Sequence, residues 1–287
     1  MAIRQHVEYD GTKFSGYTDM GENIACDDCT IATEALVCIN GAWKLPIAYF
    51  LINKITTEEK SNLVLQCISA VHTAGMRVVS VTCDGMMTKQ SLLKFLGCNF
   101  NNITSLQTWF PHPNTNDKVV VFLDPCHMLK LIRNVIGDLK LLVDRNGKYI
   151  RWSDIVHLHE LQQRESMHLA NKLRSAHIHY FNHKMKVQFA AQIFSTSVAN
   201  ALSFCQNTLK LKEFQCCDGT IEFLRTFNDL FDILNSRNLK QSGFKQPINE
   251  HNIELIRKKL AAIKIYISFL KTANGELLIK SRKKRVF

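Results

Sequence analysis

Two runs of apolar residues most constrain this chain. RVVSVTCD (77–84) and KVVVFLD (118–124) each stop abruptly at an acid, and each leads into a stretch with helical spacing. Short valine-rich runs bounded in this way read as buried strands. A strand that feeds directly into a helix is the building unit of a layered α/β domain. In such sheets ligands gather at the carboxyl ends of the strands, so Asp84 and Asp124 stand where chemistry is commonly mounted.

The surrounding pattern agrees. IRQHVEY alternates, and Tyr9, Phe14 and Tyr17 suit strands. Residues 34–52 read as strand, Asn40-Gly41 turn and strand, a hairpin signature. Thr56 or Thr57 then caps a helix whose first turn carries Glu58 and Glu59. Leu63, Cys67, Ile68 and Val71 recur on one face of that helix, and Gly75 ends it. TKQSLLKFLG predicts a short second helix closing at Gly97, and PCHMLKLIRNVIG (125–137) a third, with Pro125 in the first turn.

Beyond residue 138 the character changes. One hairpin is expected in KLLVDRNGKYIRW, around Asn146-Gly147. Four helical stretches follow: HLHELQQRESMHLANKLR, KVQFAAQIFSTSVANALSFC, GTIEFLRTFNDLFDILNSR and NIELIRKKLAAIKIYISFLK. The reading is an α/β domain over residues 1–137, with its first strand short or missing, and a mostly helical domain over 138–287.

Charge narrows the partners. The chain of 287 residues carries a formal net charge of +11, which favours an anion, with nucleic acid first. Five of the six residues in KSRKKR (280–285) are basic, a pattern that suits nuclear targeting or a phosphate patch but more often marks a solvated end. No run of 18 apolar residues and no apolar leader is present, and the ten cysteines are expected as reduced thiols.

Several chemistries lack their motifs. GxxxxGK[ST] is absent, as is GxSxG. Cys26 and Cys29 form a CxxC without the second pair that a zinc site needs. What remains is carboxylates. Asp84 could hold Mg²⁺, which takes one or two carboxylates with water and phosphate oxygens, but it could equally cap the next turn. Asp124 and His127 could be half a metal site or a structural lock on the strand–helix turn. Asp229, Asp232 and Asn235 share a turn of an amphipathic helix, most simply as its solvated face.

The order of motifs is more specific than any one of them. IRQHVEYD…SGYTDMG, VTCDGM…LLKFLGC, FLDPCHMLKLIRN, KMKVQFAAQIFSTSVANAL and FNDLFDILNSRN together resemble the P-element transposase family, with its THAP-domain relatives. The resemblance implies a ribonuclease-H-like catalytic domain interrupted by a helical GTP-binding insertion, acting in the nucleus on transposon-end DNA. It also implies a triad of acids holding divalent metal, expected as Mg²⁺, and GTP bound as a cofactor rather than hydrolysed as fuel. By the same resemblance Asp84 matches the second acid of the triad, and Asp124 and His127 a D-x-x-H signature supporting the site. Lys186, Val187, Ser195 and Asp232 match positions that contact the nucleotide. An acid can accept from the ring N–H and amino group of guanine together, and a lysine can meet phosphate as a point charge.

The departures shape the expected function. The family's first acid lies in a D-E-M stretch, and Met1 stands where that stretch ends. The third acid belongs to a helix beyond the insertion. The expectation is a transposase fragment, inactive alone. The alternatives are a domesticated module that binds GTP or DNA, and a nuclease in which Asp10 or Asp19 replaces the missing acids.

Overall fold

The computed structural model describes residues 8–9, 14–15, 30–39, 41, 43–52, 55–84, 87–100, 105–169 and 171–280. They fall into two compact units, Met1–Phe122 and Leu123–Phe287.

In the first unit, β1 (Glu8–Tyr9) and β2 (Phe14–Ser15) form a minimal antiparallel pair. The predicted hairpin is β3 (Thr30–Val37) against β4 (Lys44–Ile52), in register from Thr30 with Ile52 to Val37 with Lys44. A bulge between Glu34 and Ala35 sets Ala35 opposite Pro46, so the residue without an N–H sits where the ladder is already interrupted. Helix α1 (Thr57–Thr73) opens on a full capping box: Glu59 N donates to Thr56 Oγ1, and Thr56 N donates back to the Glu59 carboxylate. Its buried face holds Ser61, Ile68 and Val71, while Leu63 and Cys67 are half-buried. Gly75 follows at φ 81°, the left-handed region that glycine enters without cost.

The first apolar run is shorter and less buried than its sequence suggests. Only Ser80–Cys83 forms a strand, β5, and Thr82 is exposed. The reason is position: β5 is an edge of the sheet β5-β7-β6 among the described residues, so one side is open. Helix α2 (Met87–Phe95) and β7 (Lys118–Leu123) match expectation. Strand β6 (Trp109–Pro111), antiparallel to β7, was not foreseen. Three residues before a Pro-Asn-Thr turn give no alternation to read.

In the second unit, α3 (Pro125–Leu139) runs two residues past the predicted end, to Lys140 in the left-handed region. The hairpin is β8 (Leu141–Val143) and β9 (Tyr149–Arg151). A third strand, β10 (Lys271–Thr272), pairs with β8 from the far end of the unit. HLHELQQRESMHLANKLR is not one helix. Helix α4 spans Trp152–Arg164, starting before the predicted stretch and stopping within it, where Ser166 takes φ 51°. After a short helix α5 (Ser175–Ile178), the next predicted helix is two, α6 (Val187–Ile193) and α7 (Thr196–Asn207), split at Ser195. Helices α8 (Asp218–Leu234) and α9 (Ile253–Ser268) complete the set.

One core joins these elements. It runs from Leu129, Ile132 and Ile136 of α3 through Ile155 and Leu158 of α4 to Val198 and Leu202 of α7 and Leu224 and Phe227 of α8, and includes Leu270 and Leu278. Phe194, Phe223 and Phe227 pack as tilted and edge-on rings 4.7–5.9 Å apart. No helix among the described residues is long and apolar enough to cross a membrane.

Candidate functional site

The sequence candidates fall at element boundaries. Asp84 follows β5 directly and is half-buried. Among the described residues no group of three or more His, Cys, Asp and Glu could hold a metal ion. A two-metal centre needs several converging acids, so no metal-dependent step is derived from these residues. Asp10, Asp19, Cys26 and Cys29 lie outside the described residues.

Asp124 caps α3. Its two oxygens accept from Cys126 N at 3.1 Å and His127 N at 3.0 Å, satisfying two of the donors that a helix start leaves open. The link between Asp124 and His127 thus runs through the backbone, with both carboxylate oxygens engaged. The thiol of Cys126 is held above its usual range, by burial first and then by Asp124, with Arg237 and Lys130 opposing. The helices that carry the motifs DPCHMLKLIRN and NDLFDILNSRN, α3 and α8, pack against each other although the motifs lie 90 and more residues apart in the chain.

The four nucleotide candidates sit at helix ends. Lys186 precedes α6 and is exposed, its Nζ 5.2 Å from the centre of the Phe189 ring, and Val187 is the first residue of α6. Ser195 caps α7: its hydroxyl accepts from Val198 N at 3.3 Å and donates to Gln192 O at 2.8 Å. Asp232, in the last turn of α8, accepts from Asn228 Nδ2 at 3.0 Å. Burial raises the Asp232 carboxyl above the ordinary range and Asp229 adds to this, while Lys245 and the Asn228 bond pull it back.

No hydrogen bond or ion pair joins Lys186, Val187 or Ser195 to Asp232 among the described residues. What links their elements is packing: Phe194, next to Ser195, stacks on Phe227 of α8. Among the described residues Lys186 has no acid partner, so its charge is available to an anion. Asp232 keeps a carboxylate oxygen beyond the one Asn228 engages.

Sequence reasoning missed several neighbours. Asn228 stands four residues before Asp232 on the same helix face, a spacing that could have been read. Lys245 approaches Asp232 from a turn that carries no pattern. A cleft of about 740 Å³ between the β8–β9 turn, α8 and α9, lined by Arg145, Lys148, Glu222, Arg225, Asp229 and Tyr266 among others, contains none of the four candidates.

Comparison with known proteins gives these positions their context. The chain matches the family model described as TNP-like, RNase H N-terminal domain, over residues 1–97. It matches the model described as TNP-like, GTP-binding insertion domain, over residues 126–247. It is 32% identical to human DNA transposase THAP9 over 100% of its own length and 32% of that protein. It is 28% identical to the Transposable element P transposase of Drosophila melanogaster over 68% of its own length and 25% of that protein. The chain thus spans a third or less of these relatives. The solved Drosophila P element transposase strand transfer complex has the same fold, with a TM-score of 0.77 over 100% of this chain and 60% of that one at 23% identity. An α/β unit of RNase H type precedes a helical unit with an insertion-domain match, and the chain belongs to the P-element transposase family.

Proposed function

We propose that this chain is a nuclear, P-element-type transposase segment whose working activity is GTP binding by the helical unit, Leu123–Phe287. DNA of transposon ends is the macromolecular partner. The observation that carries the reading is the presence, in one unit, of an exposed Lys186 with no acid partner among the described residues and a half-buried Asp232 that accepts from Asn228. Lys186 meets phosphate as a point charge, Val187 lies against the nucleotide, and Ser195 holds the start of α7 in place. Asp232 accepts from the guanine N–H and amino group, a pattern that adenine does not present.

The domain over residues 1–137 is proposed as the RNase-H-like catalytic part, with Asp84 the metal-ligating acid, and Asp124 with His127 as the lock on the start of α3. Bound Mg²⁺ would supply Lewis-acid stabilisation of a phosphoryl oxygen. Asp84 alone does not complete that centre, and the chain by itself is proposed not to cut DNA.

A thermal melt of the purified chain with GTP, and with ATP as control, tests the reading. A ligand that binds only the folded state stabilises it by RT ln(1 + [L]/Kd), or about 2.7 kcal/mol at a hundredfold excess over Kd. A GTP-specific rise in melting temperature, lost in Asp232→Ala, is the expected result. Equal shifts with both nucleotides, or none, would sink it.

A further inference from the structure

Arg133, on α3, is fully buried, with 0% of its surface exposed. Its Nη2 donates to the carbonyl of Lys184 at 2.7 Å, its Nε to Asn134 Oδ1 at 3.0 Å, and its guanidinium carbon lies 5.5 Å from the centre of the Tyr180 ring. Nη1 is buried and has no hydrogen-bond partner among the described residues. No ion pair among the described residues includes Arg133. Asp138, an acid further along the same helix, is engaged by the hydroxyl of Tyr180.

A guanidinium does not give up its proton in a protein, so this is a permanent buried charge whose hydrogen-bond acceptors among the described residues are neutral. Such a charge opposes folding unless something compensates it, and an apolar side chain of similar length would satisfy packing alone better. What arginine adds is a tether on the carbonyl of Lys184 and a positive field at the segment that carries Lys184, Lys186 and Val187. Both lysines are exposed.

We propose that Arg133 is a positioning residue for anion binding: its bond to Lys184 fixes the Lys184–Val187 segment so that it presents Lys186, and its uncompensated charge draws the phosphate chain of a nucleoside triphosphate to that segment. This rests on the proposed GTP site and adds a residue that does not touch the ligand.

The test uses the full chain and the variants Arg133→Met and Arg133→Lys, with inorganic tripolyphosphate and GTP as separate probes. Arg133→Met should melt no lower than the wild type without ligand, yet bind both probes at least about tenfold more weakly, a loss of about 1.4 kcal/mol. Trypsin should cut after Lys184 and Lys186 faster in Arg133→Met. A purely structural role would lower the melt and leave affinity per folded molecule unchanged. If Arg133→Met does not fold, Arg133→Lys decides, since it keeps the charge but not the fork: weakened binding at an unchanged melt supports the proposal, and wild-type affinity overturns it. Wild-type affinity and an unchanged tryptic pattern in Arg133→Met overturn it as well. A wild-type chain that binds tripolyphosphate but not GTP defeats the guanine reading and leaves this one standing. A chain that binds neither defeats both.

Discussion

The hydroxyl of Thr220 donates to Asp154 Oδ2 at 2.6 Å while its oxygen accepts from Arg151 N at 2.9 Å. Asp154 is buried, and its other oxygen meets Arg151 Nε at 3.2 Å. Arg151 continues to the carbonyls of Gln215 and Cys216, both at 2.9 Å. One threonine thus ties the end of β9 and the first turn of α4 to the start of α8, through an acid that is held in low dielectric and fully engaged.

Thr220→Val should therefore cost more than its small change in volume suggests. It removes the donor to a buried carboxylate, whose partner loss is worth about 1–3 kcal/mol, whereas Thr220→Ser keeps the hydroxyl and should cost less. Urea unfolding of the two variants checks the order.

Gly219 adjoins that threonine. A Cβ there would collide with the carbonyl oxygen of Tyr149, a backbone atom of β9 that cannot swing aside. Gly219→Ala is expected to lower the melting temperature although alanine is the better helix former by about 1 kcal/mol. An unchanged or raised melt would show that α8 and β9 do not approach as described.

Asp124 offers a way to separate folding from activity. Asp124→Ala removes the cap of α3 and should destabilise by about 0.5–2 kcal/mol, while Asp124→Asn, itself a good cap, should restore most of that. Equal losses in both, measured by denaturant unfolding, would mean that the negative charge and not the cap matters.

The histidines set a pH dependence. His159 and His177 are held below their ordinary pKa, in both cases chiefly by burial. Their neighbours pull in both directions: Glu160 favours the charged form of His159, the Gln192 and Arg174 bonds that of His177, and the nearby histidines, Arg174 and Arg133 oppose it. In the folded state both stay neutral as the pH drops, while the unfolded chain takes up protons near its unperturbed value of about 6.5. Stability is therefore complete above that value and declines as the pH falls through it toward the folded values. Melts from pH 8 to pH 5 should show the decline, and His177→Gln should flatten it.

How legible was this in the sequence? Capping chemistry was: Thr56 with Glu58 and Glu59, and the Asn146-Gly147 turn, are local signals, and the elements formed where they pointed, while Asn40 of the Asn40-Gly41 turn lies outside the described residues. The family emerged from motif order. What stayed hidden depends on distant partners. Strand β10 has two residues and exists because β8 is there to receive it. The break at Ser195 is written in a cap residue that a continuous apolar pattern masks. Arg133 reads as one more helix cation until its burial is seen, and the packing of α3 against α8 cannot be inferred from either helix alone.

Strand β10 also fixes an order of events. It returns Lys271 and Thr272 to a hairpin some 130 residues upstream, and Leu270 and Leu278 beside it complete the core. During synthesis, then, the β10-β8-β9 sheet and the core are completed only when Leu270 to Leu278 have left the ribosome. A non-local closure of this kind slows folding, because loop entropy is lost before contacts repay it. Nascent chains of this protein should therefore engage chaperones through the β8–β9 hairpin and release them only late.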